Sequence, residues 1–124
     1  MPRPILSEDC IHPAIRARIA ANHEDIVREV RSAIVEHDVV VVGMAQNPFP
    51  RRARRALDNA GIPHRYLQYG SYFGEWRRRN ALKMWTGWPT FPMVFVKGVL
   101  IGGASELDAI LASGELQRLL EAPR

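Results

Sequence analysis

The tightest constraint on the fold lies in one stretch: Trp88-Pro89-Thr90-Phe91-Pro92-Met93-Val94-Phe95-Val96-Lys97-Gly98-Val99-Leu100-Ile101-Gly102-Gly103. It reads as a loop ending in a Thr-Phe-Pro turn, an apolar strand, a tight turn at Lys97-Gly98, a second short strand and a double glycine. Proline has no N–H to give to a ladder, so Pro92 belongs at the strand's entry, where a cis X–Pro bond turns the chain sharply. Phe91-Pro92 is the candidate for that bond. The short turn makes the two strands antiparallel. Gly102-Gly103 lets the backbone approach a neighbour or ligand closely before the next helix.

Upstream, Ile11 to Glu36 is helical in pattern. Pro13 suits a first turn, Ile15 and Ile19 stand at i and i+4, and Asn22 before Glu24-Asp25 looks like the N-cap of a second segment. In that segment Ile26, Val27, Val30, Ala33 and Ile34 form one apolar stripe. Val39-Val40-Val41-Val42 is β-branched throughout, which fits a strand covered on both faces. After a loop from Gly43 to Phe49, Pro50 opens a helix through Asn59 with Ala53, Ala56 and Leu57 inward and Gly61 as its stop. A strand is expected between Pro63 and Tyr69, then a helix from Tyr72 to about Met84 capped by Ser71. A helix from Ser105 to Leu111 follows the double glycine, and Ser113-Gly114 opens a short last one with Leu116, Leu119 and Leu120 inward.

This order gives an α/β protein. Strand–helix–strand at the front makes a parallel pair through a right-handed crossover, and the closing hairpin adds two antiparallel strands. The expectation is a mixed four-stranded sheet flanked by helices, with an extra N-terminal helix. A chain of 124 residues with 47% hydrophobic residues is one ordinary domain: residues 1–10 as a loosely packed N-terminal arm and 11–124 as the folded unit. No run approaches the roughly 18 apolar residues of a membrane span, and Met1-Pro2-Arg3-Pro4 lacks the apolar region of a secretory signal. The expected location is cytoplasmic, with no membrane partner.

Cys10 is the only cysteine, which excludes an intramolecular disulfide and a cysteine cage for a metal within one chain. His12, His23, His37 and His64 are scattered without metal spacing and read as surface or cap residues. The net charge of +4 and a pI near 9.8 attract anionic partners. The arginines cluster at Arg51-Arg52, Arg54-Arg55 and Arg77-Arg78-Arg79, for which solvated helix faces are the plain reading. Trp76, at i+4 from Tyr72 and i+3 from Phe73, reads as part of a core stripe. Trp85 and Trp88 flank a turn and could edge a groove.

Thr90-Phe91-Pro92, the hairpin after it and Gly102-Gly103 together resemble the carboxyl-terminal half of a glutaredoxin. Trp88-Pro89-Thr90-Phe91-Pro92 is similar to the monothiol branch in particular. The resemblance runs from about Val39 to Leu120 and implies a thioredoxin-like fold, glutaredoxin type, with a glutathione-shaped groove.

In that family the reactive thiol stands between the first strand and the next helix, where free amides and the helix dipole stabilise a thiolate. The equivalent stretch here is Asn47-Pro48-Phe49-Pro50. By this resemblance Asn47 takes the place of the nucleophilic cysteine and Pro50 that of the second cysteine or serine. An amide forms no mixed disulfide and ligates no iron–sulfur cluster, so neither a cluster nor any other cofactor is expected.

The resemblance also implies a ligand groove, holding glutathione weakly, made by Asn47, Phe49, Arg79, Phe91, Pro92, Gly103, Ala104 and Ser105. In it Phe91 offers its main chain, Arg79 a cationic contact, and Gly103-Ala104-Ser105 the amides of a helix start, which suit a carboxylate. Two positions depart from the family pattern: Met44 replaces a lysine after the first strand, and Ser105 an acidic residue after the double glycine. Without a ligand, the same turn and glycines serve packing alone.

The function expected is a binding or regulatory module that lacks the nucleophilic thiol, its partner being glutathione, a thiol peptide or a protein. One alternative is a glutathione-dependent thiol–disulfide oxidoreductase using Cys10 or a partner's thiol, set against the plain reading of Cys10 as a small, inert, partly buried residue. A second is a nucleic-acid-binding protein using Arg51 to Arg55 and Arg77 to Arg79, for which no recognised motif speaks. A homodimer is compatible with the sequence and not readable from it.

Overall fold

The computed structural model describes residues 2–71 and 74–124. The order of elements is α1 (Pro13–Ala21), α2 (Glu24–Glu36), β1 (Val39–Gly43), α3 (Pro48–Asn59), β2 (Arg65–Gln68), α4 (Trp76–Thr86), β3 (Met93–Val96), β4 (Val99–Gly102), α5 (Ala104–Ala112) and α6 (Glu115–Glu121). The sheet runs β2-β1-β3-β4. β1 and β2 are parallel, with Val41 opposite Tyr66, and β3 is antiparallel to both β1 and β4.

β1 is buried along its whole length. Successive side chains of a strand point to opposite faces, so the valine run divides between two cores. Val40 and Val42 join Ile26, Val30, Leu82 and Phe95 under α2 and α4. Val39 and Val41 join Ala53, Leu57, Leu107 and Leu116 under α3, α5 and α6. Each fully buried valine contributes about 2 kcal/mol, and on this strand all four are buried on covered faces.

The N-terminal helical stretch is two helices. Asn22 closes α1, its N–H bonded to the Ile19 carbonyl at 3.2 Å, and His23 takes a left-handed φ of 47° to start α2. Histidine is among the residues that tolerate that region. The cap of the second helix is therefore His23, one residue after the asparagine expected. On α2 the apolar stripe is buried at Ile26, Val30 and Ala33, whereas α1 buries nothing and leaves Ile15 and Ile19 about half exposed.

β2 is shorter at both ends than its sequence window. The helix expected from Tyr72 begins instead at Trp76, after Glu75 at a left-handed φ of 59°. Ser71 forms an isolated antiparallel bridge with Gly74, and the cap position of α4 falls to Glu75; the readings at Tyr72 and Phe73 lie outside the described residues. At the first position of α4, Trp76 is 55% exposed, which corrects its reading as a core residue. The Lys97-Gly98 turn has φ of 52° and 81°, the paired left-handed torsions of a type I′ hairpin. Residues 2–10 are exposed; a short 3-10 turn at Glu8–Cys10 is capped by Ser7, and the Arg3 guanidinium lies over Gly87, filling the space a side chain there would need.

β1 and α3 meet at Gly43, where an added Cβ would stand 2.7 Å from Pro50 Cβ and 3.0 Å from the Tyr66 hydroxyl. A rigid proline ring cannot swing aside. Gly43→Ala is therefore expected to destabilise the fold by about 1–3 kcal/mol through overpacking, read from urea unfolding; an unchanged midpoint would mean that α3 slides freely on the sheet.

Candidate functional site

The carboxyl ends of β1 and β4 and the amino end of β3 lie at one edge of the sheet, because β3 is antiparallel to its neighbours. α3 starts there. Pro48 and Pro50 fit its first turn, where missing N–H groups cost nothing, so the helix begins two residues before the expected Pro50. Asn47 is its N-cap. The Phe49 N–H donates to Asn47 Oδ1 at 3.0 Å, and Asn47 Nδ2 donates to the Phe91 carbonyl through a long bond of 3.4 Å.

The Phe91-Pro92 bond, the candidate offered by the sequence, is cis. One side chain thus closes the helix start and tethers it to the proline turn. Phe91 is buried, with Lys83 Nζ 5.7 Å from its ring centroid, while Phe49 stands 51% exposed at the mouth.

Gly102 and Gly103 follow on the same edge. A Cβ at Gly103 would lie 3.3 Å from the Pro92 carbonyl oxygen and 3.8 Å from Trp88 Nε1. This is the close approach for which the double glycine was singled out. The Gly103 N–H donates to Glu106 Oε1 at 3.4 Å, so α5 carries a carboxylate at its start, from the third helical position rather than from Ser105. The signal was present in the sequence as the acidic residue of a capping pattern. Ala104 and Ser105 occupy the first two positions of α5, where no preceding turn supplies carbonyls for their N–H groups. Trp88 Nε1 is buried with no hydrogen-bond partner among the described residues, an open donor that sequence reasoning had placed only loosely, at the edge of the groove.

Asn47, Phe49, Phe91, Pro92, Gly103 and the start of α5 therefore share one edge. Arg79 joins them only indirectly. It is 6% exposed, and its Nη1 donates to the carbonyls of Tyr69 at 3.1 Å and Gly74 at 2.5 Å. Its guanidinium thereby staples the β2–α4 connection. Met44 is buried in the core under α2 and α4.

Cys10 is free and exposed on the N-terminal arm, a correction to the partly buried position expected. His12 caps α1, accepting the Ala14 N–H at Nδ1, and His64 Nδ1 lies 3.1 Å from the Ile62 carbonyl. Among the described residues no three metal-ligating side chains cluster, and no helix is long and apolar enough to cross a membrane.

Two of these contacts give measurable expectations. Asn47→Ala removes a cap and should cost about 0.5–2 kcal/mol in chemical denaturation. Asn47→Asp, which keeps the acceptor but faces a carboxylate toward the Phe91 carbonyl, should recover only part of that. Equal stabilities for all three chains would show the contact to be idle.

The buried Tyr69 hydroxyl donates to Glu29 Oε1 at 2.5 Å. Burial, then the bond and the carboxylate charge, push its pKa well above the ordinary phenol range. An unfolded tyrosine ionises near pH 10, so this contribution is fully present below about pH 10 and is lost as pH rises through the higher folded value. Tyr69→Phe should flatten that alkaline slope of stability.

A parallel strand pair, a hairpin entered through a cis-proline and a helix start facing that proline define the thioredoxin-like fold. The family model described as Glutaredoxin matches residues 39–101. A glutaredoxin-like protein of Dictyostelium discoideum is 46% identical over 94 residues, 76% of either chain. The chloroplastic bifunctional monothiol glutaredoxin-S16 of Arabidopsis thaliana is 48% identical over 72 residues, covering 58% of this chain and 25% of that one. Among solved structures, a buckwheat glutaredoxin–glutathione complex superposes with a TM-score of 0.68 at 21% identity, over 81% of this chain and 91% of that one. This chain belongs to the glutaredoxin family.

Proposed function

We propose that this glutaredoxin-family chain acts as a binding or regulatory module rather than as a thiol–disulfide oxidoreductase. The observation that carries the reading is Asn47: at the head of α3, facing the cis-proline turn, stands a carboxamide whose acceptor and donor are both engaged. Disulfide exchange needs a thiolate to attack sulfur. A carboxamide cannot supply one, and its neighbours Pro48, Phe49 and Pro50 add no ionisable group.

The same donor set does not fit an iron–sulfur cluster, which is held by cysteine thiolates. A glutathione-like peptide fits better. The main chain at Phe91, the open Trp88 N–H and the leading amides of α5 can receive it, while Glu106 competes for the Gly103 amide and Arg79 is committed to backbone carbonyls. The reading therefore includes weak affinity. The buckwheat protein that shares this fold is a glutathione complex.

Calorimetry with reduced glutathione should give a Kd of about 1 mM or weaker, near −4 kcal/mol. An oxidoreductase assay on a glutathione mixed disulfide should give no turnover, in the unmodified chain or in Cys10→Ser. Robust turnover by the unmodified chain would overturn the proposal, and its loss in Cys10→Ser would transfer the chemistry to the arm. Asn47→Cys should acquire a glutathione adduct visible by intact mass.

A further inference from the structure

Every residue of α1 is exposed, and a helix of nine residues is marginal in water unless something packs against it. Its apolar side chains nonetheless share a direction. Ile15 and Ile19, at i and i+4, line one cleft together with Val35 of α2 and with Met84 and Trp85 of α4. These are five of the ten large apolar side chains exposed among the described residues, so that surface is gathered in one place, the pattern of an interaction site rather than of ordinary scatter. Val27 and Ala81 line the cleft as well and belong to the core beneath it, and the Trp85 ring stands 6.4 Å from that of the buried Phe95.

The cleft measures about 1370 Å³, above the roughly 300–1,000 Å³ of small-molecule sites. A helix of nine residues, about 13 Å long and 10–12 Å across, occupies roughly 1,000–1,500 Å³. The space therefore suits a helix of the length of α1. Charge selects whose helix it is. Glu8, Glu24 and Glu36 stand in the lining against Arg18, Arg28 and Arg31. Glu24 pairs with Arg28 at 3.3 Å, while Glu8, Arg18, Arg31 and Glu36 form no ion pair among the described residues. The chain's net charge of +4 thus lies outside this balanced lining. Copies meeting through the basic surface elsewhere repel one another, whereas this face meets itself without that cost.

We propose that the cleft of α1, α2 and α4 is a two-fold interface with a second copy of this chain, the α1 of each copy lying against that of the other and closing the other's cleft. In a two-fold contact every pairing occurs twice, so the two acids and two bases without partners find their complements in the second copy. The cleft shares no residue with the groove at Asn47 and Phe91, and the proposal stands or falls apart from glutathione binding.

The test is sedimentation velocity over a concentration series, in reductant so that Cys10 cannot link copies. The chain should pass from monomer to dimer with a Kd of about 100 µM or tighter. Ile19→Glu with Met84→Glu should raise that Kd at least about tenfold by placing like charges across the axis, whereas Val99→Glu, an exposed change on β4 outside the cleft, should leave it unaltered. A charge exchange gives a readout independent of packing: Arg18→Glu with Arg31→Glu in one chain, and Glu8→Arg with Glu36→Arg in another, should each sediment as monomers alone and as a dimer when mixed. If the Ile19 and Met84 changes unfold the chain by circular dichroism, this mixing experiment decides. A chain that stays monomeric throughout the series, a dimer indifferent to the cleft variants or equally weakened by Val99→Glu, or complementary chains that fail to pair overturns the proposal. So does a monomeric chain that takes up a labelled amphipathic helical peptide in the cleft, which would assign the face to a different partner.

Discussion

A strand of four valines that must be buried on both sides sets the architecture. Because their side chains alternate, one short segment nucleates two cores, and neither helical layer can be removed without exposing half of it. The parallel partner β2 and the antiparallel partner β3 then have only one sheet to join. The consequence for the site is positional. With β1 central, its carboxyl end delivers α3, its antiparallel neighbour begins at the same place, and the turn at Phe91-Pro92 faces the helix start without any long loop.

The site follows from that placement and from one residue. A helix start offers free amides and a positive end of the dipole, which favour a negative group. Here the first amide to be satisfied, that of Phe49, is taken by Asn47 Oδ1. The same carboxamide reaches across to the Phe91 carbonyl, so the two halves of the groove are joined by a neutral side chain. On the proposed reading, what the edge keeps is recognition: an open indole N–H, the amides of α5 and the main chain at the proline turn.

The sequence made legible whatever depends on repeated chemistry. The valine run, the stripe on α2, the tight turn at Lys97-Gly98 and the proline at the head of β3 all rest on local rules that the tertiary structure had no reason to override. Single torsions were not legible. His23 and Glu75 each take a left-handed conformation that ends one pattern and begins another, and neither residue type announces it. Trp76 was placed in a stripe because a helix was assumed to begin before it. For Arg79 the family resemblance implies a ligand contact and the charged run around it a solvated side chain, and neither reveals that its guanidinium turns inward to backbone carbonyls. The Asn47–Phe91 contact joins residues 44 apart, a separation only the fold can close.

That contact restricts which side chains can stand at position 47. A residue at position 47 must accept from one backbone group and donate to another, and among small side chains only a carboxamide does both from a single planar unit. Serine or aspartate would cap the helix but slacken the tether, and so would cysteine, a weak partner in either role. Asparagine here thus has a structural role independent of any reaction, joining the start of α3 to the proline turn through a single side chain.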